Sequence, residues 1–329
     1  MVTISQIAAE AKVSSALVSR VLNNKSGVSP ENREKILAII KKHNYVPNAI
    51  ARSLVTQKTA TIGVVIGTIC DSFFFDFFDG IQDMAETLDY NVVFCSGRNN
   101  ADIKAKYVDY FAQGRVDGII AYGSRYQDLF FDILERFPFF VTVEGDLPGK
   151  DFNKVLVDNL DGAYRATTYL IEQGYQTIFH FTGDMDYSVS LERLDGFKKA
   201  MQDHGLSIDN AIITADFEEE LAYKRMKKLI AKNKHPQACF AGADKGAFGI
   251  IRALTEAGLS TPGDVAVIGF DGDVPNSRDM VFPRLTTMRQ PLFEMGKEAV
   301  RLLVRTIETP GIKPITTTFD TELVLGETT

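Results

Sequence analysis

The sequence predicts a small all-α head, a short connecting segment and a two-lobed α/β core of parallel sheets. Three observations predict it. Residues 1–58 hold nine Lys or Arg against three Glu and no Asp, a charge of +6, which leaves −13 on the rest of a chain whose net charge is −7. Apolar residues in the first forty-odd positions recur at helical spacing. From Thr61 onward, short apolar runs alternate with amphipathic stretches, and the series occurs twice. With 329 residues, 45% of them hydrophobic, the chain exceeds one ordinary domain and can bury a large core.

The head comes first. Thr3 to Ala11 places Ile4, Ile7, Ala8 and Ala11 on one face, at i, i+3, i+4 and i+7. A tight turn follows at Lys12-Val13, where a non-glycine residue in the left-handed region costs roughly 1–2 kcal/mol. Ser14 is expected to cap a second helix reaching Asn23, with Val18 and Leu22 inward and Ser15, Ala16, Ser19 and Arg20 outward. Pro30 suits the first turn of a third helix, reaching about His43 and packed through Val28, Ile36, Ile39 and Ile40. Two helices joined in this way form a helix-turn-helix, whose second helix fits the DNA major groove. Small residues at Ser15 and Ala16 permit close approach to base edges, and Arg20 can pair with guanine or a phosphate. A basic head on an acidic body attracts phosphate at one end only. The alternative is a helical bundle without DNA affinity.

The next segment, Pro47 to Leu54, is short and poorly anchored, with an exposed leucine. A helix of that length is not stable alone, so its order must come from a partner. Residues 56–60 read as a linker.

In the body, strands are expected at Thr61–Ile66, Asn91–Cys95, Asp117–Tyr122, Phe139–Val143 and Lys154–Val157. A second series follows at Thr177–Phe181, Ala238–Ala241 and Val265–Phe270. Helices fit around 74–88, 101–113, 126–136 and 160–173, then 190–204, 218–232 and 245–257. Strands apolar throughout, alternating with helices, indicate parallel sheets covered on both faces. Two series imply two doubly wound lobes. The stretch Leu285–Gln290 and a helix over 292–308 are expected to carry the chain back to the first lobe, so that the lobes can close on a ligand between them.

Other classes are disfavoured. No run of about 18 apolar residues exists, and the N-terminus lacks the apolar stretch of a signal peptide. Cys70, Cys95 and Cys239 are an odd number without paired spacing, which favours reduced thiols in a cytoplasm. His43, His180, His204 and His235 form no metal-ligating pair. No phosphate-binding loop, nucleophile elbow or Cys-His motif occurs. The expectation is a soluble cytoplasmic protein that is not an enzyme and uses neither cofactor nor metal.

Particular runs then carry a resemblance. Val18-Ser19-Arg20-Val21-Leu22-Asn23, Tyr45-Val46-Pro47-Asn48 and Ala51-Arg52-Ser53-Leu54 resemble the lactose-repressor family of bacterial transcription regulators. The likeness continues in Arg115-Val116-Asp117-Gly118, Arg193-Leu194-Asp195-Gly196-Phe197, Ile268-Gly269-Phe270-Asp271 and Leu285-Thr286-Thr287. It implies a helix-turn-helix domain over 1–46, a hinge helix and linker over 47–60, and a core like a periplasmic binding protein over 61–329. The first lobe would be about 61–159 and 291–319, the second about 160–290 and 320–329. Operator contacts would come from Thr3, Ser14, Ser15, Ala16, Ser19, Arg20, Asn23 and Ser29, with Asn48, Ala51 and Leu54 from the hinge. Leu54 would wedge between base pairs in the minor groove, trading unstacking for a bent, better-contacted duplex; the alternative is a core leucine under the linker.

The same resemblance implies an effector in the cleft, most naturally a carbohydrate. Arg193 and Asp271 would hydrogen-bond hydroxyls; alternatively, they bridge the lobes as a salt link. Phe73, Phe74, Phe77 and Phe217 stand where an aromatic or apolar side chain covers the ligand, or else belong to the core. Glu144 and Tyr122 fall where sugar-binding members place Asp and Asn. Asp244 reads as a helix N-cap. Ala243 stands where a lactose-binding member has an amide, so the same sugar is not implied.

Phe293-Glu294-Met295-Gly296 with Arg301 and Arg305 is similar to a member that docks a phosphorylated carrier protein; the alternative is a solvated helix face. The implied assembly is a homodimer or tetramer on a pseudo-palindromic double-stranded operator, with effector, corepressor or carrier protein left open.

Overall fold

The computed structural model describes residues 2–45, 58–69, 72–98, 100–123, 134–135, 137–145, 151–273 and 283–329. The segment from 46 to 57, with Asn48, Ala51 and Leu54, lies outside the described residues, as do Cys70 and most of the helix expected over 126–136. The chain divides into two compact units, Met1–Thr59 and Ala60–Thr329.

The first unit contains α1 (Ile4–Ala11), α2 (Ser15–Leu22) and α3 (Pro30–Lys42). Each helix starts on a hydroxyl cap that satisfies an otherwise orphaned backbone N–H. Thr3 and Gln6 form a reciprocal capping box, Ser14 accepts from the Leu17 N–H, and Ser29 accepts from the Asn32 N–H. Lys12 does take the left-handed conformation in the turn, with φ 58°. Ile7, Ala8, Ala11, Val18, Val21, Ile36 and Ile39 form the core of this unit. Here one expectation is corrected: Val21 is buried, whereas Leu22 packs at the edge of the cluster. Glu10 ties α1 to the end of α3 through Lys42 Nζ at 2.8 Å and His43 Nε2 at 2.6 Å.

The second unit holds two six-stranded sheets. The first lobe contains β1 (Thr61–Ile66), a 3-10 turn (Ser72–Phe74), α4 (Phe75–Thr87), β2 (Asn91–Ser96) and α5 (Ala101–Phe111). It continues with β3 (Gly118–Tyr122), β4 (Phe140–Val143) and β5 (Asn153–Val157). The second lobe contains α6 (Asn159–Glu172), β6 (Ile178–Thr182), α7 (Ser188–Asp203), β7 (Ile212–Thr214), α8 (Glu219–Ile230) and β8 (Ala238–Ala241). After these come α9 (Asp244–Glu256), β9 (Ala266–Asp271) and β10 (Thr286–Arg289). The chain returns to the first lobe with α10 (Leu292–Glu308) and β11 (Thr316–Phe319), then ends with β12 (Glu322–Val324) in the second sheet.

Strand order is β11-β5-β4-β3-β1-β2 in the first sheet and β12-β10-β9-β8-β6-β7 in the second. Every pairing is parallel except β10 with β12. Helices cover these sheets because the central strands β1, β3, β8 and β9 are buried along almost their whole length. Thr286–Arg289 corrects the reading of Leu285–Gln290 as purely connecting: it is a strand, and the crossing follows it. The chain therefore crosses between lobes at residues 158, 290–291 and 320–321. These crossings place the C-terminal ends of both sets of strands around one cleft.

Candidate functional site

On the head, α2 exposes Ser15, Ala16 and Arg20, with Asn23 just beyond its end, while Ser19 is half-buried. Asn23 Nδ2 donates to the Ser19 carbonyl at 2.8 Å and more weakly to its hydroxyl. The face is small and polar, the shape that a major groove admits. Arg33 on α3 steadies the loop behind α2, donating to Asn24 Oδ1 at 2.7 Å and to the Lys25 carbonyl at 3.0 Å. Thr3, Ser14 and Ser29 spend oxygen lone pairs on helix caps, and the Thr3 O–H donates to Gln6 Oε1 at 3.2 Å.

In the second unit a cavity of about 630 Å³ lies between the lobes, within the size range of small-molecule sites. Its first-lobe wall includes Phe73, Phe74, Tyr122, Lys104 and Glu144; its second-lobe wall includes Arg193, Phe217, Lys245, Asp271 and Gln290. The aromatic wall is built edge to face: Tyr122 lies 4.9 Å from Phe74 and 5.1 Å from Phe77, ring centre to ring centre.

Arg193 projects from the first half of α7 and is buried. Its Nε donates to Asn159 Oδ1 at 2.8 Å, and its Nη1 donates to the Gly242 carbonyl and to Asp271 Oδ1 at 3.2 Å. The guanidinium stacks on Phe270, 3.8 Å above the ring centre. Asp271 also accepts from Gln290 Nε2 at 2.8 Å and sits at the end of β9 with a strained φ of 120°. Asp244, wholly buried, accepts from Thr287 Oγ1 at 2.6 Å and from the backbone N–H groups of Gly272 and Asp273. Gly269 is what admits it: a Cβ there would lie 2.0 Å from Asp244 Oδ1. Burial raises the pKa of both Asp244 and Asp271; the Asp271 charge raises that of Asp244 further, while Arg193 opposes the rise at Asp271.

Glu144 turns away from the cleft centre. One carboxylate oxygen accepts from the Val157 N–H at 2.6 Å and the other from Asn159 Nδ2 at 2.9 Å. Burial pushes its carboxyl up to about 7 against the pull of Asn159, Arg193 and the Val157 N–H. Phe217 is drawn into the cleft by two successive left-handed residues, Asp216 at φ 52° and Phe217 at φ 62°. Its ring lies on Gly183, where a Cβ would come within 1.9 Å of it.

The comparisons with known proteins agree with this geometry. Residues 3–48 match the model of bacterial regulatory proteins of the lacI family, and residues 167–329 match a periplasmic binding protein-like domain. Catabolite control protein A of Priestia megaterium is 32% identical over 92% of this chain and 92% of its own. The ribose operon repressor of Halalkalibacterium halodurans is 34% identical over 100% of this chain and 97% of its own. The chain belongs to the lacI family. A lac repressor dimer bound to operator and an anti-inducer superposes with a TM-score of 0.87 at 25% identity, covering 99% of this chain and 98% of that one. This lacI-family member is thus a DNA-binding transcriptional regulator with an N-terminal helix-turn-helix and a two-lobed periplasmic-binding-like core.

Within that family frame, the cleft gathers Phe73, Phe74, Tyr122, Glu144, Arg193, Phe217 and Asp271. Phe77 is corrected: fully buried, it braces Tyr122 from beneath and does not line the cavity. Asp244 is corrected too. The N-cap of α9 is Ala243, and Asp244 instead holds the loop at Gly272-Asp273. Arg193 and Asp271 do not bridge the lobes, since α7 and β9 both belong to the second.

Sequence reasoning missed Asn159 and Gln290. Their signal was positional: Asn159 opens the helix after β5 and Gln290 directly follows β10, at two of the crossings. Arg301 pairs with Glu298 on its own helix, as a solvated face would. No helix among the described residues is long and apolar enough to cross a membrane.

Proposed function

We propose that this protein is a homodimeric repressor of a carbohydrate-use operon, released or engaged by a polyol held between its lobes, and that it is not an enzyme. The observation that carries the effector reading is the Arg193–Asp271 pair, 3.2 Å apart and largely buried, lining one cavity with the rings of Phe74 and Tyr122. Fixed donors and acceptors on one wall grip neighbouring hydroxyls, and rings on the other accept the apolar face of a sugar. Each α2 reads half of a pseudo-palindromic operator through Ser15, Ala16 and Arg20. Leu54 and its hinge partner seat in the minor groove, and a change in lobe angle alters that seat. The effector acts only through a difference in affinity between the two lobe arrangements.

Thermal-shift screening of the purified protein against sugars, sugar phosphates and purines tests the effector class. Operator binding, with DNA selected from a random pseudo-palindromic library, then gives the direction of control. A hit among sugars supports the reading; a shift with purines alone, or turnover of a bound sugar, overturns it. Leu54→Ala is expected to weaken operator affinity and leave effector binding intact. Equal loss of both would overturn the hinge role.

A further inference from the structure

Two of the three crossings between the lobes are joined by a largely buried chain of hydrogen bonds with the Arg193–Asp271 pair at its middle, and separate bonds tie the third crossing to the first. At the first crossing, Asn159 opens α6 and is almost wholly buried. Its Nδ2 donates to Glu144 of the first lobe at 2.9 Å, while its Oδ1 accepts from Arg193 Nε of the second at 2.8 Å. Arg193 passes the connection to Asp271. Asp271 accepts the side-chain N–H of Gln290 through Oδ1 at 2.8 Å and its backbone N–H through its carbonyl at 3.0 Å. Gln290 directly follows β10, with only Pro291 between it and α10, where the chain re-enters the first lobe. The third crossing joins the first, because the Asp158 N–H donates to the Phe319 carbonyl at 2.9 Å and Arg165 donates to the Thr321 carbonyl at 2.9 Å.

Two further details set this chain apart from ordinary packing. Gln290 is buried and lines the cavity, yet its Oε1 has no hydrogen-bond partner. A buried acceptor without a donor is costly, so Gln290 is held in place against an energetic penalty. Glu144 also accepts the Val157 N–H, so the first-lobe end of the chain is anchored to the backbone of β5 itself.

We propose that Asn159 and Gln290 are positioning residues that transmit occupancy of the cleft to the interlobe crossings. Asn159 orients Arg193 from the first crossing, and Gln290 orients Asp271 from the second. A ligand that draws on Arg193 or Asp271 competes directly with bonds that fix two crossings at once. Cooperative side-chain networks of this kind respond as a unit when any member is removed. The inference rests on the reading that Arg193 and Asp271 grip the effector, but its test uses no effector and therefore fails or succeeds separately.

The test is hydrogen–deuterium exchange on the full-length protein, comparing wild type with Asn159→Ala and Gln290→Ala. Peptides spanning 155–162, 286–294 and 317–323 report the three crossings, and a peptide over β8 reports global opening. Asn159→Ala is expected to speed exchange at 286–294 by about tenfold, the factor that one charge-assisted hydrogen bond carries. Gln290→Ala is expected to do the same at 155–162, in both cases well beyond any change in β8. Acceleration confined to each variant's own crossing would overturn the proposal, as would equal acceleration everywhere.

Should either alanine variant fail to fold, Glu144→Gln is the second probe. It is nearly isosteric, but its amide N–H must face a donor at Val157 or Asn159. Remote acceleration at 286–294 supports the chain; an unchanged 286–294 peptide removes it.

Discussion

The first-lobe wall of the cleft carries the packed rings of Phe73, Phe74 and Tyr122 beside Lys104 and Glu144, and the second-lobe wall carries the hydrogen-bonded Arg193–Asp271 pair beside Phe217. Phe73, Phe74 and Tyr122 pack edge to face over Phe77, so their positions follow from the apolar core beneath them. Arg193, Asp244 and Asp271 are held instead by named bonds to Asn159, Thr287, Gln290 and the backbone. An aromatic wall offers shape and area with little direction. An ionic wall offers direction, and each member depends on the others to offset the cost of burying charge. The comparison teaches that substitutions on the two walls should fail differently, one by degrees and the other all at once.

The sharpest way to break the contrast is Arg193→Ala. It leaves Asn159 Oδ1 without its donor and Asp271 without its countercharge, held only by Gln290, and a stability loss of about 3–5 kcal/mol is expected by urea unfolding. Sugar-induced thermal shifts should vanish with it. A loss under about 1 kcal/mol would show that the ionic wall is not held as a unit.

Glu144→Gln sharpens the contrast through pH. The Glu144 carboxyl rises to about 7 in the folded protein from an ordinary value of 4.5, because it is buried. The proton it holds therefore contributes stability that is complete below pH 4.5 and is lost as pH rises through 7. The variant lacks that loss, so its stability relative to wild type should climb between pH 5.5 and 8 by about 2 kcal/mol. His180 moves oppositely: burial lowers its pKa to about 4, so its contribution is lost as pH falls from 6.5 toward that value. That contribution is common to both proteins and cancels in the difference. A pH-independent difference would place Glu144 in an ordinary environment.

Phe74→Leu should have a smaller effect. It trims the aromatic wall without orphaning a polar group, so a loss of about 1–2 kcal/mol is expected. Isothermal titration should show a graded change in affinity across sugars, with binding retained. Complete loss of binding would put the rings on the same footing as the ions.

Much of this was legible because local chemistry announces it. Thr3, Ser14 and Ser29 are cap residues wherever they precede an amphipathic run, and the central strands are continuous apolar runs. β7, β11 and β12 escaped notice because they are short and half-exposed, and Thr316-Thr317-Thr318 lacks an apolar signature. Asp244 looked like a cap because caps are local, whereas its real partners lie 28, 29 and 43 residues away. Asn159 and Gln290 are harder still, because their roles exist only once two lobes have been folded against each other. Phe77 and Phe74 are indistinguishable in sequence; one turn of backbone puts the first beneath the cavity and the second beside it.

At the mouth of the cleft, Ser72 of the first lobe donates to Asp273 Oδ1 of the second at 2.8 Å. Asp273 is itself steadied through its backbone N–H by Asp244. A bond that spans the lobes beside the cavity bears on the rate of opening rather than on the grip. Equilibrium titrations hide such a step, since it slows both directions alike. Stopped-flow measurements on Ser72→Ala should show association and dissociation both faster by about fivefold, with Kd nearly unchanged. A shift in Kd with association unaltered would make Ser72 part of the grip. If the rates respond together, the speed with which the cleft answers its effector is written in one serine, apart from the residues that decide which molecule it holds.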